Sequence, residues 1–246
     1  MSFKKPIILV GLPAYNESEA ILTLLSRINK TFHIYNINGA IVVINDGSSD
    51  NTLELVKSYN SDFPLEVVDV QPNQGLANAM RVCLNFAANK LDDDDILVTM
   101  DADDTHNPFL LMPMISKVFE GNDIVIASRY RYGSHIVGLS PFRKFLSSGV
   151  SLLFTLFNNV RGVKDYTCGF RAYKINFLKQ LHQLHGDKLI EQEGFGCMAE
   201  ILIKSKKLNP IITEVPMVLR YDQKLGASKM NIFKTIKQTL KLIIQK

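Results

Sequence analysis

Short apolar runs alternate with amphipathic segments through the first half of the chain. The apolar runs are rich in β-branched residues and predict strands, whereas the segments between them repeat apolar residues every three or four positions and predict helices. The predicted strands are Pro6–Gly11, Ala40–Ile44, Leu65–Val70, Ile96–Met100 and Asp123–Ala127, and the predicted helices are Glu17–Lys30, Ser49–Tyr59, Leu76–Asn89 and Pro108–Phe119. This alternation predicts an α/β fold with a mostly parallel sheet that carries helices on both faces.

The second half of the chain is less regular. The pattern predicts a long apolar helix, a strand, a second helix, a second strand and a final amphipathic helix. These elements are Pro141–Asn159, Gly169–Tyr173, Gly194–Ser205, Pro210–Leu219 and Asn231–Gln245. No linker-like or low-complexity stretch separates them from the first half, so we expect a single domain over residues 1–246.

Composition narrows the class of protein. The 246 residues are 46% hydrophobic, and the net charge is only +4, too small and diffuse to indicate a nucleic-acid partner. Three distant cysteines without a Cys-x-x-Cys pair favour a reducing cytoplasm over a disulfide framework or a zinc site. The best candidate for a membrane span, Gly149–Val160, is shorter than the roughly 20 apolar residues that a spanning helix needs. We therefore expect a cytoplasmic protein without a membrane span.

Polar clusters follow the first four predicted strands. They are residues 13–17 (Pro-Ala-Tyr-Asn-Glu), residues 45–50 (Asn-Asp-Gly-Ser-Ser-Asp), Asn73 with Gly75, and residues 101–103 (Asp-Ala-Asp). The carboxyl ends of parallel strands meet at one edge of the sheet, where open α/β folds bind their ligands. We expect these clusters to form one site.

Asp101 and Asp103 are the central feature of this edge. Two carboxylates so close together after a buried strand are unfavourable unless they bind a positive group, and Mg²⁺ or Mn²⁺ bridging to a diphosphate would satisfy them. A solvated acidic turn is the alternative, because Asp-x-Asp is a short and common motif. The pair by itself leaves both interpretations open.

Asp46 stands at the end of the second predicted strand, where its carboxylate can accept hydrogen bonds from a base or a ribose. The residues after it, 48–50, are of the types that cap helices. Tyr15 and Glu17 suit stacking and hydrogen bonding to a nucleoside, although a plain turn before a helix is the alternative.

In this order and spacing, the clusters resemble those of the family 2 inverting glycosyltransferases. Within that family they are most similar to the branch of dolichyl-phosphate mannose synthases and polyprenyl-phosphate glycosyltransferases. Later segments agree, namely Ser128-Arg129-Tyr130, residues 165–171 (Asp-Tyr-Thr-Cys-Gly-Phe-Arg) and residues 226–229 (Gly-Ala-Ser-Lys). The match runs from about Pro6 to Lys229. The resemblance implies a Rossmann-like GT-A type fold, with a nucleotide-binding half over about residues 1–128 and an acceptor-side half over about 129–246.

The resemblance also implies roles for individual residues. Those implied to contact the nucleotide are Pro13, Ala14, Tyr15, Glu17, Asp46, Asp101 and Ala102. Asp101 and Asp103 would hold the metal ion and the donor diphosphate. Arg129 and Arg143 match positions that handle phosphate, Arg143 that of the acceptor, and Lys229 would neutralise the leaving diphosphate. Surface solvation is the alternative for Arg143 and Lys229, because exposed charge is the default for these residue types.

The implied reaction is an in-line displacement at the anomeric carbon of a nucleotide-diphosphate sugar, with inversion. A polyprenyl phosphate is already ionised and needs no general base, whereas a sugar hydroxyl needs a carboxylate within hydrogen-bond reach. The candidates for that base are Asp165, Glu191 and Glu193. Asp165 could equally fix a loop.

Two segments favour a lipid acceptor and contact with a membrane surface. Residues 141–159 place several Phe and Leu side chains beside Arg143 and Lys144, and the tail from Gln223 to Lys246 has six lysines and no acidic residue. Basic amphipathic helices lie in membrane interfaces. The alternative is that both segments pack on the protein's own core, as apolar stripes usually do.

Two positions depart from the branch, both near the implied donor phosphates. Thr105 stands where a Gln is usual, and Gln223 stands where an Arg often precedes the loop glycine, so that Arg220 or Lys224 would have to compensate. Because of these departures, the identities of the sugar and the nucleotide stay open. The alternative that the chain is a non-catalytic module, which binds a nucleotide sugar without turnover, stays open as well. A dinucleotide-dependent dehydrogenase is disfavoured, because Gly11-Leu12-Pro13 replaces its glycine-rich turn.

Overall fold

A computed structural model describes residues 5–138, 149, 153–154, 156–194 and 196–223. The strands within these residues are β1 (Ile8–Ala14), β2 (Gly39–Asp46), β3 (Leu65–Val70), β4 (Ile96–Thr99), β5 (Ile124–Ser128), β6 (His135–Val137), β7 (Arg171–Lys174), β8 (Ile212–Pro216) and β9 (Val218–Arg220). The α-helices are α1 (Ile21–Ile34), α2 (Thr52–Ser58), α3 (Leu76–Lys90), α4 (Leu111–Phe119), α5 (Ile175–His185) and α6 (Gly196–Ser205). Residues 153–154 and 156–158 are also helical.

Seven of these strands form one sheet, in the order β3-β2-β1-β4-β7-β5-β8. Neighbouring strands are parallel except at β7, which is antiparallel to both β4 and β5, so the prediction of a mostly parallel sheet is confirmed. Strand β7 comes from the second half of the chain but lies between two strands of the first half, and both halves therefore build the same sheet. Strands β6 and β9 form a separate parallel pair.

Helices cover both faces of the large sheet. The connections through α1 and α2 step one way along the sheet and the connection through α3 steps back, so right-handed crossovers place α3 on the opposite face. The contacts agree, because α1 packs against α2 whereas α3 packs against α5. Buried side chains such as Leu24 of α1 and Leu84 of α3 cover the apolar strands, and each contributes about 1.5–3 kcal/mol by leaving water.

The register of the strands brings the polar clusters together. Ala14, at the end of β1, lies opposite Asn45 of β2, and Asp46 lies opposite Val70 at the end of β3. Strand β4 pairs with β1 on its other side. The loops after β1, β2, β3 and β4 thus leave the sheet at one edge, as the sequence pattern predicts.

The first helix begins at Ile21 rather than at Glu17 as predicted. Residues 17–20 form a turn in which the carbonyl of Glu17 accepts hydrogen bonds from the N–H groups of Ala20 and Ile21. The N–H of Glu17 donates to Thr52 Oγ1 at 2.8 Å. A tie to the neighbouring loop therefore holds this turn outside the helix.

The predicted strand over residues 210–219 is two strands that belong to different sheets. Strand β8 pairs with β5, and β9 pairs with β6. The break falls at Met217, whose N–H donates to the carbonyl of Ser128 at 3.1 Å. The pattern of residues 210–219 does not reveal such a change of partner.

The structure contains two elements that the sequence pattern does not predict, helix α5 and strand β6. Two predicted helices lie wholly or mostly outside the described residues. Helix α5 follows β7 directly, without a loop to mark its start, and β6 is only three residues long. The predicted helix Asn231–Gln245 lies outside the described residues, and so does most of Pro141–Asn159.

Candidate active site

Asp101 and Asp103 lie in the loop after β4, at the edge where the polar clusters meet. The side chain of Asp101 keeps 37% of its surface exposed, whereas Asp103 is buried. Oδ1 of Asp103 accepts hydrogen bonds from the N–H (3.2 Å) and the hydroxyl (2.7 Å) of Thr105. Thr105 therefore orients Asp103, and its short side chain gives this loop a different hydrogen-bond donor from the Gln that is usual in the resembling branch.

Asp101 lies between His106 and Gly169. The N–H of Asp101 donates to Nδ1 of His106 at 3.3 Å, and Nε2 of the same ring is 3.9 Å from Oδ2 of Asp101. On the other side, a Cβ added at Gly169 would lie 3.0 Å from Oδ1 of Asp101. The glycine thus leaves the space that this carboxylate occupies.

The two carboxylates fit a hard divalent cation that also binds a diphosphate. Within the described residues, no group of three or more His, Cys, Asp and Glu side chains could hold a metal by itself. Mg²⁺ is typically held by one or two carboxylates together with substrate phosphates. The pair of Asp101 and Asp103 provides donors of the right kind and number for that mode.

Arg27 of α1 holds the same loop from its outer side. It forms an ion pair with Asp104 at 2.5 Å and donates to Asn107 Oδ1 at 3.3 Å. Asp104 adopts a positive φ of 56°, and burial raises the pKa of its carboxyl more than Arg27 lowers it. The loop is therefore fixed by contacts on both sides.

Asp46 uses both carboxylate oxygens within the protein. Oδ1 accepts the N–H of Gln74 at 3.0 Å, and Oδ2 accepts the N–H of Gly75 at 2.7 Å and Nδ2 of Asn73 at 2.9 Å. Only 2% of the residue is exposed. Asp46 thus fixes the loop before α3, and its predicted contact with a nucleoside remains a prediction.

The residues after β1 are tied to the loop after β2. Oδ1 of Asn16 accepts the N–H of Ser49 at 2.7 Å, and the N–H of Asn16 donates to Ser48 Oγ at 3.0 Å. Asp50 accepts the N–H groups of Ser18 and Thr52, whereas Asn51, the residue directly before α2, makes no side-chain capping hydrogen bond. Of the predicted nucleotide contacts here, Ala14 is buried, Pro13 and Glu17 are half-buried, and Tyr15 is 38% exposed.

Arg129 and Asp165 form a bidentate ion pair beside this edge. Nε and Nη2 of Arg129 donate to Oδ2 and Oδ1 of Asp165 at 2.8 and 2.6 Å, and Nη2 also donates to Thr167 Oγ1 at 2.7 Å. Burial alone would raise the pKa of Asp165, but Arg129 outweighs it and holds that pKa below its ordinary value. Because Asp165 is fully buried, these contacts favour its loop-fixing alternative over the role of a general base.

The remaining predicted site residues are paired, exposed or outside the described residues. Glu191 pairs with Lys204 at 2.7 Å, and Arg220 pairs with Asp222 at 2.7 Å rather than pointing unpaired to the site. Arg143 and Lys229 lie outside the described residues, as does Lys224. Glu193 is exposed, one residue before Gly194. Across the part of the chain that is described, no helix combines the length and the apolar character that crossing a membrane requires.

Three residues that the sequence pattern does not single out hold the site together. They are Arg27, Asn16 and His106. In the sequence, Arg27 is indistinguishable from an ordinary charged residue on the surface of a helix. Asn16 belongs to the cluster of residues 13–17, but the pattern assigns it no role of its own. His106 follows the aspartate pair closely, and that spacing is the one signal by which it could be found.

The fold and this edge define a GT-A type nucleotide-binding domain. The family model for glycosyl transferase family 2 matches residues 9–181, so the chain belongs to this family, as the sequence motifs predict. The chain is 29% identical over 238 residues to the dolichol-phosphate mannosyltransferase of Pyrococcus furiosus, covering 95% of this chain but only 63% of that protein. It is 28% identical over 225 residues to the undecaprenyl-phosphate mannosyltransferase of Micrococcus luteus, covering 91% of this chain and 87% of that protein.

A solved structure supports the fold assignment. The chain superposes with a TM-score of 0.66 on the glucosyl-3-phosphoglycerate synthase of Mycobacterium tuberculosis, a structure that contains Mn²⁺, uridine diphosphate and glucosyl-3-phosphoglycerate. The alignment covers 97% of this chain and 77% of that one at 18% identity. At this identity the likeness is one of fold.

Proposed function

We propose that this glycosyltransferase moves a sugar from a nucleotide-diphosphate donor to a polyprenyl phosphate, with inversion and with Mg²⁺ or Mn²⁺. The observation that carries the proposal is the partly exposed carboxylate of Asp101 together with the oriented carboxylate of Asp103 two residues later, at the edge of a family 2 domain. The names of both curated relatives include a polyprenyl-type phosphate acceptor. Asp101 and Asp103 would hold the metal ion, whose charge stabilises the leaving diphosphate.

The residues of this chain bind and orient the reactants. In the displacement, an oxygen of the acceptor phosphate forms a bond to the anomeric carbon while the bond from that carbon to the diphosphate oxygen breaks, and the nucleoside diphosphate leaves with the electron pair. Arg129 is held by Asp165 in one orientation, with 14% of its side chain exposed, and would attract phosphate oxygens. Lys229 would add positive charge at the leaving diphosphate, and Arg143 at the acceptor phosphate.

The state of two of the three candidate bases, Asp165 and Glu191, favours an acceptor that is already ionised; the third, Glu193, is exposed. Asp165 is paired with Arg129, and Glu191 is paired with Lys204. Each of these carboxylates would have to break an ion pair to accept a proton from a sugar hydroxyl. An acceptor phosphate needs no such step, so transfer to a hydroxyl is the second candidate function.

Contact with a membrane surface is part of this proposal. Leu156 and Phe157 are 68% and 56% exposed on adjacent helical positions, within the segment whose Phe and Leu content predicts an interfacial helix. Two neighbouring exposed apolar side chains suit the headgroup region of a bilayer. Co-sedimentation with anionic vesicles at low salt tests it. Binding that falls in Leu156→Ser/Phe157→Ser supports it, and no binding by the unchanged protein contradicts it.

A panel of nucleotide sugars tests the donor side of the proposal and the binding-module alternative together. Thermal unfolding with each donor and Mn²⁺ reports binding, because a ligand at a hundredfold excess over its Kd stabilises the folded state by about 2.7 kcal/mol. Release of nucleoside diphosphate reports turnover. Binding with release supports the transferase, binding without release under any acceptor favours the module, and no binding at all contradicts both.

A further inference from the structure

His106 contacts the site but has no role assigned to it in the proposed reaction. It is buried, with 3% of the residue exposed, and it lies in the loop that carries both aspartates. A buried imidazole next to a candidate metal ligand needs an explanation of its own, because buried polar side chains are costly unless their hydrogen bonds are satisfied.

The contacts of His106 are directed at Asp101. Because Nδ1 accepts the N–H of Asp101 at 3.3 Å, the neutral ring carries its proton on Nε2. That nitrogen is 3.9 Å from Oδ2 of Asp101, too far for a hydrogen bond but on the side of the carboxylate. One ring thus binds the main chain of Asp101 and presents an N–H towards its side chain.

Phe170 fixes the plane of this ring. The His106 and Phe170 rings stack with their centroids 5.1 Å apart and their planes 25° apart, and Phe170 is completely buried. The preceding residue, Gly169, leaves room for Oδ1 of Asp101. The two carboxylate oxygens of Asp101 therefore face different partners, Oδ1 the Gly169 backbone and Oδ2 the imidazole.

We propose that His106 is a positioning residue that holds the carboxylate of Asp101 in the orientation in which it takes a divalent cation. This inference rests on the proposed function, since it assumes that Asp101 is a metal ligand. The motif of residues 165–171 then has two roles. Asp165 pairs with Arg129, and Gly169 and Phe170 contact Asp101 and His106 from a distant part of the chain. Groups that orient metal ligands typically change metal affinity 10- to 100-fold when they are removed.

Binding of Mn²⁺ to the full chain tests the role without relying on turnover. Electron paramagnetic resonance of free Mn²⁺ gives the Kd for the metal, measured with saturating uridine diphosphate and separately with guanosine diphosphate. His106→Ala should weaken Mn²⁺ binding by about tenfold or more. His106→Asn places an amide oxygen near the position of Nδ1, can accept the N–H of Asp101, and should recover most of the loss.

Two further variants separate positioning from general damage to the fold. His182→Ala removes an imidazole from α5, which begins at the opposite edge of the sheet, where the N–H of Ile175 donates to the carbonyl of Asp95; Mn²⁺ affinity should stay at the wild-type value. Phe170→Leu keeps apolar bulk but removes the stacked ring, and should weaken Mn²⁺ binding in the same direction as His106→Ala.

The outcomes distinguish this inference from the proposed function. If Asp101→Asn abolishes Mn²⁺ binding while His106→Ala and His106→Asn, both folded, bind with wild-type affinity, the role of His106 is overturned and the metal site stands. If the wild-type chain binds no Mn²⁺ with either nucleotide, the metal part of the proposed function and this inference fail together. Loss in His106→Ala with recovery in His106→Asn supports both.

Discussion

The guanidinium of Arg129 and the carboxylate of Asp165 share two parallel hydrogen bonds of 2.8 and 2.6 Å, and the main-chain N–H of Arg129 donates to the same carboxylate at 2.9 Å. Asp165 has no exposed surface. The two residues come from different segments, 36 positions apart. Their pairing joins the end of β5 to the segment before β7.

Removing the charge of Asp165 should therefore damage the fold and the site together. Asp165→Asn leaves a largely buried guanidinium without its counter-charge, which costs about 3–5 kcal/mol of the free energy of unfolding. Urea unfolding measures this loss. Thr167→Val is the matched control, since it removes one hydrogen bond to Arg129 and should cost about 1 kcal/mol. Equal losses in the two variants would contradict the importance of the ion pair.

Gly169→Ala should impair metal binding more than stability. The backbone of Gly169 does not lie in the left-handed region, so alanine is acceptable there, but its Cβ would sit 3.0 Å from Oδ1 of Asp101. A carboxylate displaced by a few tenths of an ångström is a poorer ligand, and we expect about a tenfold weaker affinity for Mn²⁺. Gly149→Ala, whose added Cβ meets nothing within 4 Å, should leave the affinity unchanged. Wild-type binding in Gly169→Ala would show that the close approach is unimportant.

Glu214 should make stability fall as the pH rises above 4.5. Burial raises the pKa of its carboxyl above the ordinary value of 4.5, more than hydrogen bonds from the N–H groups of Asp165 and Lys164 lower it. A group whose pKa is raised on folding contributes stability that is full below the unfolded pKa and is lost as the pH passes the folded pKa.

Glu214→Gln tests this pH dependence. The amide does not titrate, so the wild-type free energy of unfolding minus that of the variant should decrease between pH 4.5 and pH 8. Urea unfolding at several pH values gives the difference. A difference that stays constant, or that increases with pH, would contradict the raised pKa.

Asp46→Asn should loosen the loop before α3. An amide can replace only part of the acceptor capacity that Gln74, Gly75 and Asn73 use, and a buried group left unsatisfied costs about 1–3 kcal/mol. Chemical unfolding and titration with uridine and guanosine diphosphates measure the two consequences. Asn73→Ala serves as the control, because it removes only the side-chain donor. Lost nucleotide binding with unchanged stability would instead favour direct contact between Asp46 and the nucleoside.

The sequence predicts the sheet edge well because strand ends and polar clusters are both local patterns. The pattern places Asp46, Asp101 and Asp103 after buried strands, and the strand register brings these loops to one edge. The features that the pattern does not reveal are those that depend on contacts between segments far apart in the sequence. Strand β7 enters between β4 and β5, and Asp165, which pairs with Arg129, lies in the segment before β7.

The roles of single residues also depend on contacts between distant segments, so the sequence alone leaves them open. Asp165 has the residue type of a general base, and only its burial against Arg129 shows that it is paired. His106 and Phe170 are 64 positions apart, and no periodicity in either segment indicates that their rings stack. Thr105 stands where the resembling branch usually has Gln, and only the structure shows that its hydroxyl donates to Asp103.

The most direct test of the account follows a labelled sugar from the donor into lipid. The full chain is incubated with a labelled nucleotide sugar, polyprenyl phosphate and Mn²⁺, and the organic phase is extracted and its anomeric configuration determined. The account predicts label in a polyprenyl-phosphate sugar of inverted configuration, abolished by a chelator, restored by added Mn²⁺ and absent in Asp103→Asn. Label that reaches the lipid equally well with the chelator or in Asp103→Asn, or that retains its configuration, would contradict it.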